Sequence, residues 1–301
     1  PTTLVAPVAA QDAPRIDDFD NAKEISALPF DRTVDVKRAT RADDDPSCRE
    51  SGHTVWFKFT PNADMRLIAR VRGKKTPAIV SVWTGERGAL TAVKCNDYRP
   101  IVEAEAGTTY YFMVTLNNGT GNLVFNVDGY QPPTNDDFDN ATVIPGLPFT
   151  DTLDTRGATT ASDEPGTCGN KNSVWYAITP TASQLIVLDT NGSSYGTQIG
   201  VFTGSRDALT LVGCGGNQGF RFDATAGVTY YIQVVSGDGG GDLVFNAVGH
   251  LPAPNDDFDN ATTITSLPFS DTLDTAAATV APDDPTDCAG TNVHTVWYAL
   301  T

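Results

Sequence analysis

One 15-residue segment occurs three times in this chain, and no other feature limits its fold as strongly. The copies are IDDFDNAKEISALPF at Ile16–Phe30, NDDFDNATVIPGLPF at Asn135–Phe149 and NDDFDNATTITSLPF at Asn255–Phe269. Their equivalent aspartates, Asp17, Asp136 and Asp256, are separated by 119 and then 120 residues. This period has the size of a whole domain and is much longer than the roughly 20–50 residues of a solenoid repeat. We therefore expect independent domains in tandem, each of which opens with this segment.

The repeat divides the chain into four parts. They are 1–14, a signal-peptide remnant or linker; 15–134, the first repeat; 135–254, the second repeat; and 255–301, the truncated start of a third repeat. Leu4–Ala10 has the composition of the end of a signal-peptide apolar region with cleavage before Gln11, and the alternative is an Ala/Pro linker. No apolar run approaches the roughly 18 residues of a transmembrane helix. We expect the chain to be linked to further domains outside these residues.

Short stretches of alternating residues follow the opening segment in each repeat. In SVWYAIT of the second repeat, Val174, Tyr176 and Ile178 would face one side of a strand. Trp175 and Ala177 would face the other side. An earlier strand is expected around 152–158, and later strands at 183–189, 197–204, 209–214, 219–224, 228–235 and 242–248.

Gly, Asn, Asp and Pro separate these stretches, as turns between strands require. No segment has a helical period of comparable length. About eight short strands without a helix to cover a sheet predict an all-β fold, with tandem jelly-roll-type β-sandwich repeats of about 120 residues. A closed barrel is the alternative.

The five cysteines recur at matching positions of the repeats. Cys48 precedes Cys95 by 47 residues, Cys168 precedes Cys214 by 46, and Cys288 stands alone in the third repeat. This spacing predicts one disulfide in each complete repeat and an oxidising compartment. The alternative is a pair of buried thiols. The absence of CxxC and of a Cys/His cluster argues against a zinc site.

Charge and histidine content limit the function. The 37 Asp and Glu exceed the 20 Lys and Arg and give a net charge of −17, which argues against nucleic acid as a partner because phosphate binding needs clustered cations. The three histidines, His53, His250 and His294, do not agree in position between the two complete repeats. No HExxH motif is present, and the single GxSxG match, at 192–196, lies in a turn between two expected strands and is not followed by a helical pattern. We therefore expect no catalysis within these residues.

Several phrases together resemble the bacterial pre-peptidase C-terminal (PPC) domain family. They are NDDFDNAT, the acidic DEPG loop, SVWYAIT, VFTGSRDALTLVGC and FDATAGVTYYIQV. That family is similar in fold to the collagen-binding domains of clostridial collagenases. The resemblance covers both complete repeats and the start of the third. It implies a β-sandwich accessory module of secreted bacterial proteins, often in tandem and attached to proteases or other exported enzymes.

The resemblance also implies a calcium site, because some relatives bind calcium through acidic residues of the N-terminal segment and a nearby loop. Ca²⁺ is bound by about six to eight oxygen atoms held on adaptable loops. The expected donors are Asn135, Asp136, Asp163 and Glu164 in the second repeat; Asn255, Asp256, Asp283 and Asp284 in the third; and Asp17, Asp43 and Asp44 in the first, where Ile16 replaces the amide. The alternative is that these residues only cap turns and keep the surface soluble.

These observations predict a non-catalytic accessory module of a secreted or cell-surface bacterial protein. Its role would be targeting, spacing, or binding of an extracellular polysaccharide or protein matrix. One alternative is an adhesin-like stalk that binds polysaccharide or host matrix. Another is the accessory part of a secreted hydrolase whose catalytic domain lies outside these residues.

Overall fold

A computed structural model describes most of the chain. The chain divides into two compact units, Pro1–Pro132 and Pro133–Thr301. The described residues are 15–48, 52–72, 78–116, 121–169, 171–237, 239–281, 284–285 and 294–301. The expected signal-peptide remnant, Asp283 and Cys288 lie outside them.

The described residues of the first unit form a short 3-10 turn, Phe19–Asn21, and nine strands. The strands are β1 Lys23–Glu24, β2 Phe30–Asp35, β3 His53–Phe59, β4 Met65–Arg72, β5 Ala78–Thr84, β6 Thr91–Asp97, β7 Ile101–Ala104, β8 Tyr110–Leu116 and β9 Asn122–Tyr130. They form a five-stranded sheet in the order β1-β3-β8-β5-β6 and a four-stranded sheet in the order β2-β9-β4-β7.

The second unit repeats this arrangement. After the 3-10 turn Phe138–Asn140 come β10 Thr142–Val143, β11 Phe149–Asp154, β12 Ser173–Ile178, β13 Gln184–Asp189, β14 Thr197–Ser205, β15 Ala208–Gly216, β16 Phe220–Ala224, β17 Tyr230–Ser236 and β18 Asp242–His250. The sheet orders are β10-β12-β17-β14-β15 and β11-β18-β13-β16.

The strand order identifies the fold as a jelly roll. When β2 to β9 are numbered 1 to 8, the four-stranded sheet runs 1-8-3-6 and the larger sheet, apart from β1, runs 2-7-4-5. Two sheets connected in this way form an open sandwich with two Greek keys rather than a closed barrel. The predicted fold class is therefore confirmed.

Apolar side chains from both sheets fill the space between them. In the second unit, Val174, Tyr176 and Ile178 of β12 lie in this core together with residues of β13, β16 and β18. The opposite face of β12 carries Trp175, which is fully buried in a separate small cluster with Cys168. The alternation expected for this strand is confirmed.

Two strands near the start of the repeat differ from expectation. The strand expected around 152–158 is β11, which already begins at Phe149. The two-residue strand β10 was not expected, because two residues show no alternation. It pairs in parallel with β12. Ile144 N–H continues this pairing by donating a hydrogen bond to the Ala177 carbonyl at 2.8 Å.

The two expected disulfides are present, Cys48–Cys95 and Cys168–Cys214, with Cα–Cα distances of 5.4 and 5.6 Å. Each joins the acidic loop of its repeat to the last strand of the five-stranded sheet, β6 or β15. No helix in the described part of the chain has the length and apolar character needed to cross a membrane.

The described part of the third repeat begins as the other two do. It has the 3-10 turn Phe258–Asn260 and a parallel pair formed by β19 Thr262–Ile264 and β20 Tyr298–Leu300. This pair corresponds to β10 and β12 of the second repeat. The repeat boundaries after residues 134 and 254 stay a prediction.

Candidate functional site

The DDFDN segment forms a capped 3-10 turn in all three repeats. In the second repeat the Asp137 carboxylate accepts a hydrogen bond from Asp139 N–H at 2.9 Å. Asp139 is thus held in the turn by the side chain two residues before it, as Asp does at helix N-termini. Asp18 and Asp257 make the same contact, each at 2.9 Å.

A phenylalanine fastens this turn to the outer face of the five-stranded sheet. The Phe138 ring meets Trp175 edge-on at 5.1 Å between ring centroids and lies 4.4 Å from Tyr231. Phe19 has equivalent contacts in the first repeat, at 5.3 Å from Trp56 and 4.5 Å from Tyr111. The acidic turn therefore rests on a buried aromatic cluster.

The asparagine before the turn binds the main chain of the tryptophan. The Asn135 carbonyl accepts from Trp175 N–H at 2.9 Å, and its side-chain N–H donates to the Trp175 carbonyl at 3.0 Å. Asn255 binds Trp297 in the same way, at 2.8 Å for both bonds. Ile16 keeps only the main-chain bond, from Trp56 N–H at 2.8 Å.

The first aspartate of the segment connects it to the loop before the acidic residues. Asp136 accepts from the backbone N–H and the hydroxyl of Thr159, each at 2.6 Å. Asp256 makes both contacts with Thr279, also at 2.6 Å. In the first repeat Asp17 accepts from the N–H and the hydroxyl of Thr40, at 3.2 and 2.7 Å.

An arginine draws together the remaining acidic residues of the second repeat. The Arg206 guanidinium lies 2.6 Å from Asp137, 2.9 Å from Asp139 and 2.6 Å from Asp163. Asp137 and Asp139 belong to the turn, and Asp163 belongs to the acidic loop. We call these four residues the arginine cage of the second repeat.

The first repeat has the same cage. The Arg87 guanidinium lies 2.9 Å from Asp18, 2.8 Å from Asp20 and 2.6 Å from Asp44. Arg87 and Arg206 are 119 residues apart, which is the spacing of the repeat. The same arrangement occurs in two repeats, so the cage is a feature of the repeated domain.

The arginines hold their partner carboxylates in the charged form. Hydrogen bonds from Arg206 place the pKa of Asp137 and of Asp163 below the ordinary value for aspartate. Arg87 lowers the pKa of Asp18 and of Asp44 for the same reason. Each cage contains three carboxylates and one guanidinium, so it keeps a net negative charge at neutral pH.

The second acid of the acidic loop points the opposite way, into the protein. Glu164 accepts from the Ser173 hydroxyl, from Trp175 Nε1 at 3.4 Å and from Gln233 Nε2 at 3.2 Å. Burial raises the pKa of Glu164 above its ordinary value. Adjacent acids thus have different tasks, because one binds the arginine and the other satisfies buried polar groups around the tryptophan.

In the other repeats this inward-facing acid is an aspartate. Asp45 accepts from the Thr54 hydroxyl at 2.6 Å and from Trp56 Nε1 at 3.2 Å. Asp284 accepts from the Thr295 hydroxyl at 2.8 Å. In the first repeat the structural equivalents of Asp163 and Glu164 are therefore Asp44 and Asp45, one position later than the pair Asp43 and Asp44 chosen from the sequence. Asp43 is exposed.

In the second repeat, the residues expected to bind calcium do not converge on one point. Asp136, Asp163 and Glu164 face three different sets of protein donors, although a calcium site needs about six to eight oxygens around one point. Among the described residues, no group of three or more His, Cys, Asp or Glu is arranged to hold a metal ion. The side-chain oxygens of Asn135 and Asn255 are buried and have no hydrogen-bond partner in the described part of the chain, but each lies beside the main chain of the tryptophan that the same asparagine binds. Calcium binding stays a prediction.

The sequence reasoning did not select seven residues of this site: Arg87, Arg206, Asp45 and the turn aspartates Asp18, Asp20, Asp137 and Asp139. The signal for the arginines was the recurring pattern Thr-Gly-x-Arg at 84–87 and 203–206. The signal for Asp45 was the proline that follows it, since Pro46 and Pro165 align the two acidic loops.

A groove of about 530 Å³ lies next to the turn of the second repeat. Phe138 and Tyr231 form its aromatic wall, the hydroxyls of Thr179 and Thr229 lie along it, and Val143 stands at its side. Val143 is 73% exposed, an unusual value for an aliphatic strand residue. This surface offers aromatic, apolar and hydroxyl groups in one place.

Comparisons with known proteins add no family assignment. No family model matches the chain, and no curated protein matches it. Solved structures match weakly. The CUB1-EGF-CUB2 domain of human MASP-1/3 has 10% sequence identity and a TM-score of 0.21, over 73% of this chain and 99% of that one. The CBM22-1-CBM22-2 tandem domain of Paenibacillus barcinonensis Xyn10C has 9% identity and a TM-score of 0.20, over 66% and 83%. Scores this low support no argument. The chain is defined by its own features as a tandem, disulfide-bonded jelly-roll protein.

Proposed function

We propose that this chain is a non-catalytic binding module of a secreted or cell-surface bacterial protein, related to the pre-peptidase C-terminal domains that its sequence resembles. Its repeats, 15–134, 135–254 and the start of a third at 255–301, would position the protein on an extracellular polysaccharide or protein matrix. One disulfide in each of the first two repeats suits an oxidising environment outside the cytoplasm.

One observation carries this proposal: the acidic residues with the chemistry for catalysis or metal binding are engaged in internal contacts. Asp136 binds Thr159, Asp163 binds Arg206, and Glu164 binds around Trp175. The groove beside these residues faces solvent. Its composition suits ligand binding, because ligand sites combine apolar and aromatic walls with a few polar groups.

Two other functions remain in view, an adhesin-like stalk and the accessory part of a secreted hydrolase. Both would use the same modules, and they differ from the first proposal in what the modules are attached to. The complete open reading frame distinguishes them. A hydrolase domain would support the accessory role, and further repeats with a cell-wall anchor would support the stalk.

Binding is tested by sedimentation of the purified chain with insoluble cellulose, chitin, xylan and fibrillar collagen. We expect saturable binding to at least one of these materials without release of soluble sugars or peptides. Val143→Asp should weaken that binding because it places a charge beside the groove. Val248→Asp is the matched control, since Val248 is an exposed valine of β18 on the other sheet. Soluble products, or equal binding by both variants, would contradict the proposal.

A further inference from the structure

The arginine cage shares Asp163 with the expected calcium donors of the second repeat, and the cage of the first repeat shares Asp44 with those of the first. Its carboxylates come from the N-terminal turn and from the acidic loop, the same two segments that the sequence predicts as a source of calcium ligands. Arg206 itself comes from neither segment. It lies directly after β14, at the tip of the β14–β15 hairpin, so its guanidinium brings three chain segments together.

The guanidinium has the geometry needed to replace a metal ion. Its nitrogens approach three carboxylates at 2.6–2.9 Å, within the range of charge-assisted hydrogen bonds. Arginine is always protonated and offers several donors in a fixed plane. The cation is therefore present at every calcium concentration, because it is covalently attached to the hairpin.

A calcium ion would compete directly with this group. A metal bound to Asp137 and Asp163 would have to lie close to the positive charge of Arg206, and like charges at such distances repel. The carboxylate oxygens that face the guanidinium would also have to exchange one cation for the other. The guanidinium therefore offsets one of the three carboxylate charges and occupies the oxygens that would face a metal ion, so it weakens metal binding for as long as it is in place.

We propose that Arg206 and Arg87 serve as built-in cations that replace calcium, so that the first two repeats close their N-terminal turns without a metal ion. The inference goes beyond the proposed function, because it holds whatever these modules bind. The disulfide has a related task. Cys168–Cys214 ties the acidic loop to β15, and Arg206 ties the same loop to the turn of the same hairpin.

The first test is a calcium titration of the full chain with the substitution Asp256→Ala, which removes an expected calcium donor of the third repeat. We expect no heat of binding in calorimetry with millimolar CaCl₂, which is the affinity range of about 0.1–1 mM typical of extracellular calcium modules. Equal concentrations of CaCl₂ and MgCl₂ should change the melting temperature equally, since only charge screening remains. Stoichiometric calcium binding, or a stabilisation specific to calcium, would overturn the proposal.

The second test removes the cation. Arg206→Gln should increase hydrogen exchange in peptides that cover the turn, 135–142, by about fivefold, because opening of the turn no longer breaks ion pairs. Arg221→Gln is the matched control. It removes the same charge from the same repeat, and Arg221 is exposed on β16 with no ion pair among the described residues.

The first repeat provides an independent copy of this experiment. Arg87→Gln should accelerate exchange at the turn of the first repeat, residues 16–23, and leave residues 135–142 unchanged. Exchange at both turns that stays within experimental error of the Arg221→Gln control would overturn the proposal, since the guanidinium would then have no closing role.

Discussion

Phe138→Ala should destabilise the second repeat by about 3 kcal/mol. The Phe138 ring is only 9% exposed, and burial of a phenylalanine contributes about 1.5–3 kcal/mol. Its contacts with Trp175 and Tyr231 add about 0.5–1.5 kcal/mol each when the geometry is favourable. The sum, about 2.5–6 kcal/mol, spans the roughly 3–5 kcal/mol measured for Phe→Ala in protein cores. We expect a value at the lower end of that range, because the groove beside the ring lets water fill part of the space.

Native-state hydrogen exchange measures this loss for the second repeat alone, through peptides from β12 and β17. A loss of about 3 kcal/mol corresponds to exchange that is about 100-fold faster. Val143→Ala is the control, because Val143 lines the same groove but is 73% exposed, and it should change stability by less than about 0.5 kcal/mol. If the two variants exchange at the same rate, the ring does not fasten the turn and the reasoning is wrong.

Four further predictions concern the second repeat. Arg206 stabilises the charged form of Asp163, so the contribution of Asp163 to the stability of the repeat is present at neutral pH and should be lost as pH falls below about 4. The urea midpoint of Asp163→Asn should therefore decrease less on acidification than that of the unchanged chain. The effect of pH on the Glu164 contribution has the opposite sign. Burial raises the pKa of Glu164, so the repeat loses stability as pH rises above about 4.5, and Glu164→Gln should reduce this loss. Replacing Cys168 and Cys214 by alanine opens a 46-residue loop and should lower stability by about 4 kcal/mol in the chain-entropy description; unchanged urea midpoints would contradict this. Residues 135–254 should melt cooperatively as an isolated domain, and molten behaviour would show that the repeat boundaries are misplaced.

Local patterns in the sequence were sufficient to predict the architecture. Alternation in SVWYAIT assigned Tyr176 to the core and Trp175 to the outer face, because side chains of a strand point to opposite sides. Matching positions of Cys48 and Cys168 in the two repeats predicted the disulfides. Each of these features depends on nearest neighbours along the chain or on comparison of one repeat with the next.

The roles of the acidic residues could not be predicted in this way. Arg206 lies 43 residues from Asp163 and 69 from Asp137, and these residues meet only when the jelly roll brings the hairpin, the loop and the turn to one place. Sequence alone shows a high density of carboxylates, and such a density suits calcium ligands, turn caps and ion pairs equally well.

Adjacent residues with similar chemistry were separated only by the tertiary structure. Asp163 faces an arginine at the surface, and Glu164 faces buried donors around a tryptophan, although both are acids in one short loop. The direction of each side chain depends on how the loop is anchored by the disulfide and by strand β12. The sequence by itself therefore determined the strands, the faces to which their side chains point, and the disulfides. Only the tertiary structure decided which charged residues meet, because electrostatic interactions depend on distance in space and not on distance along the chain.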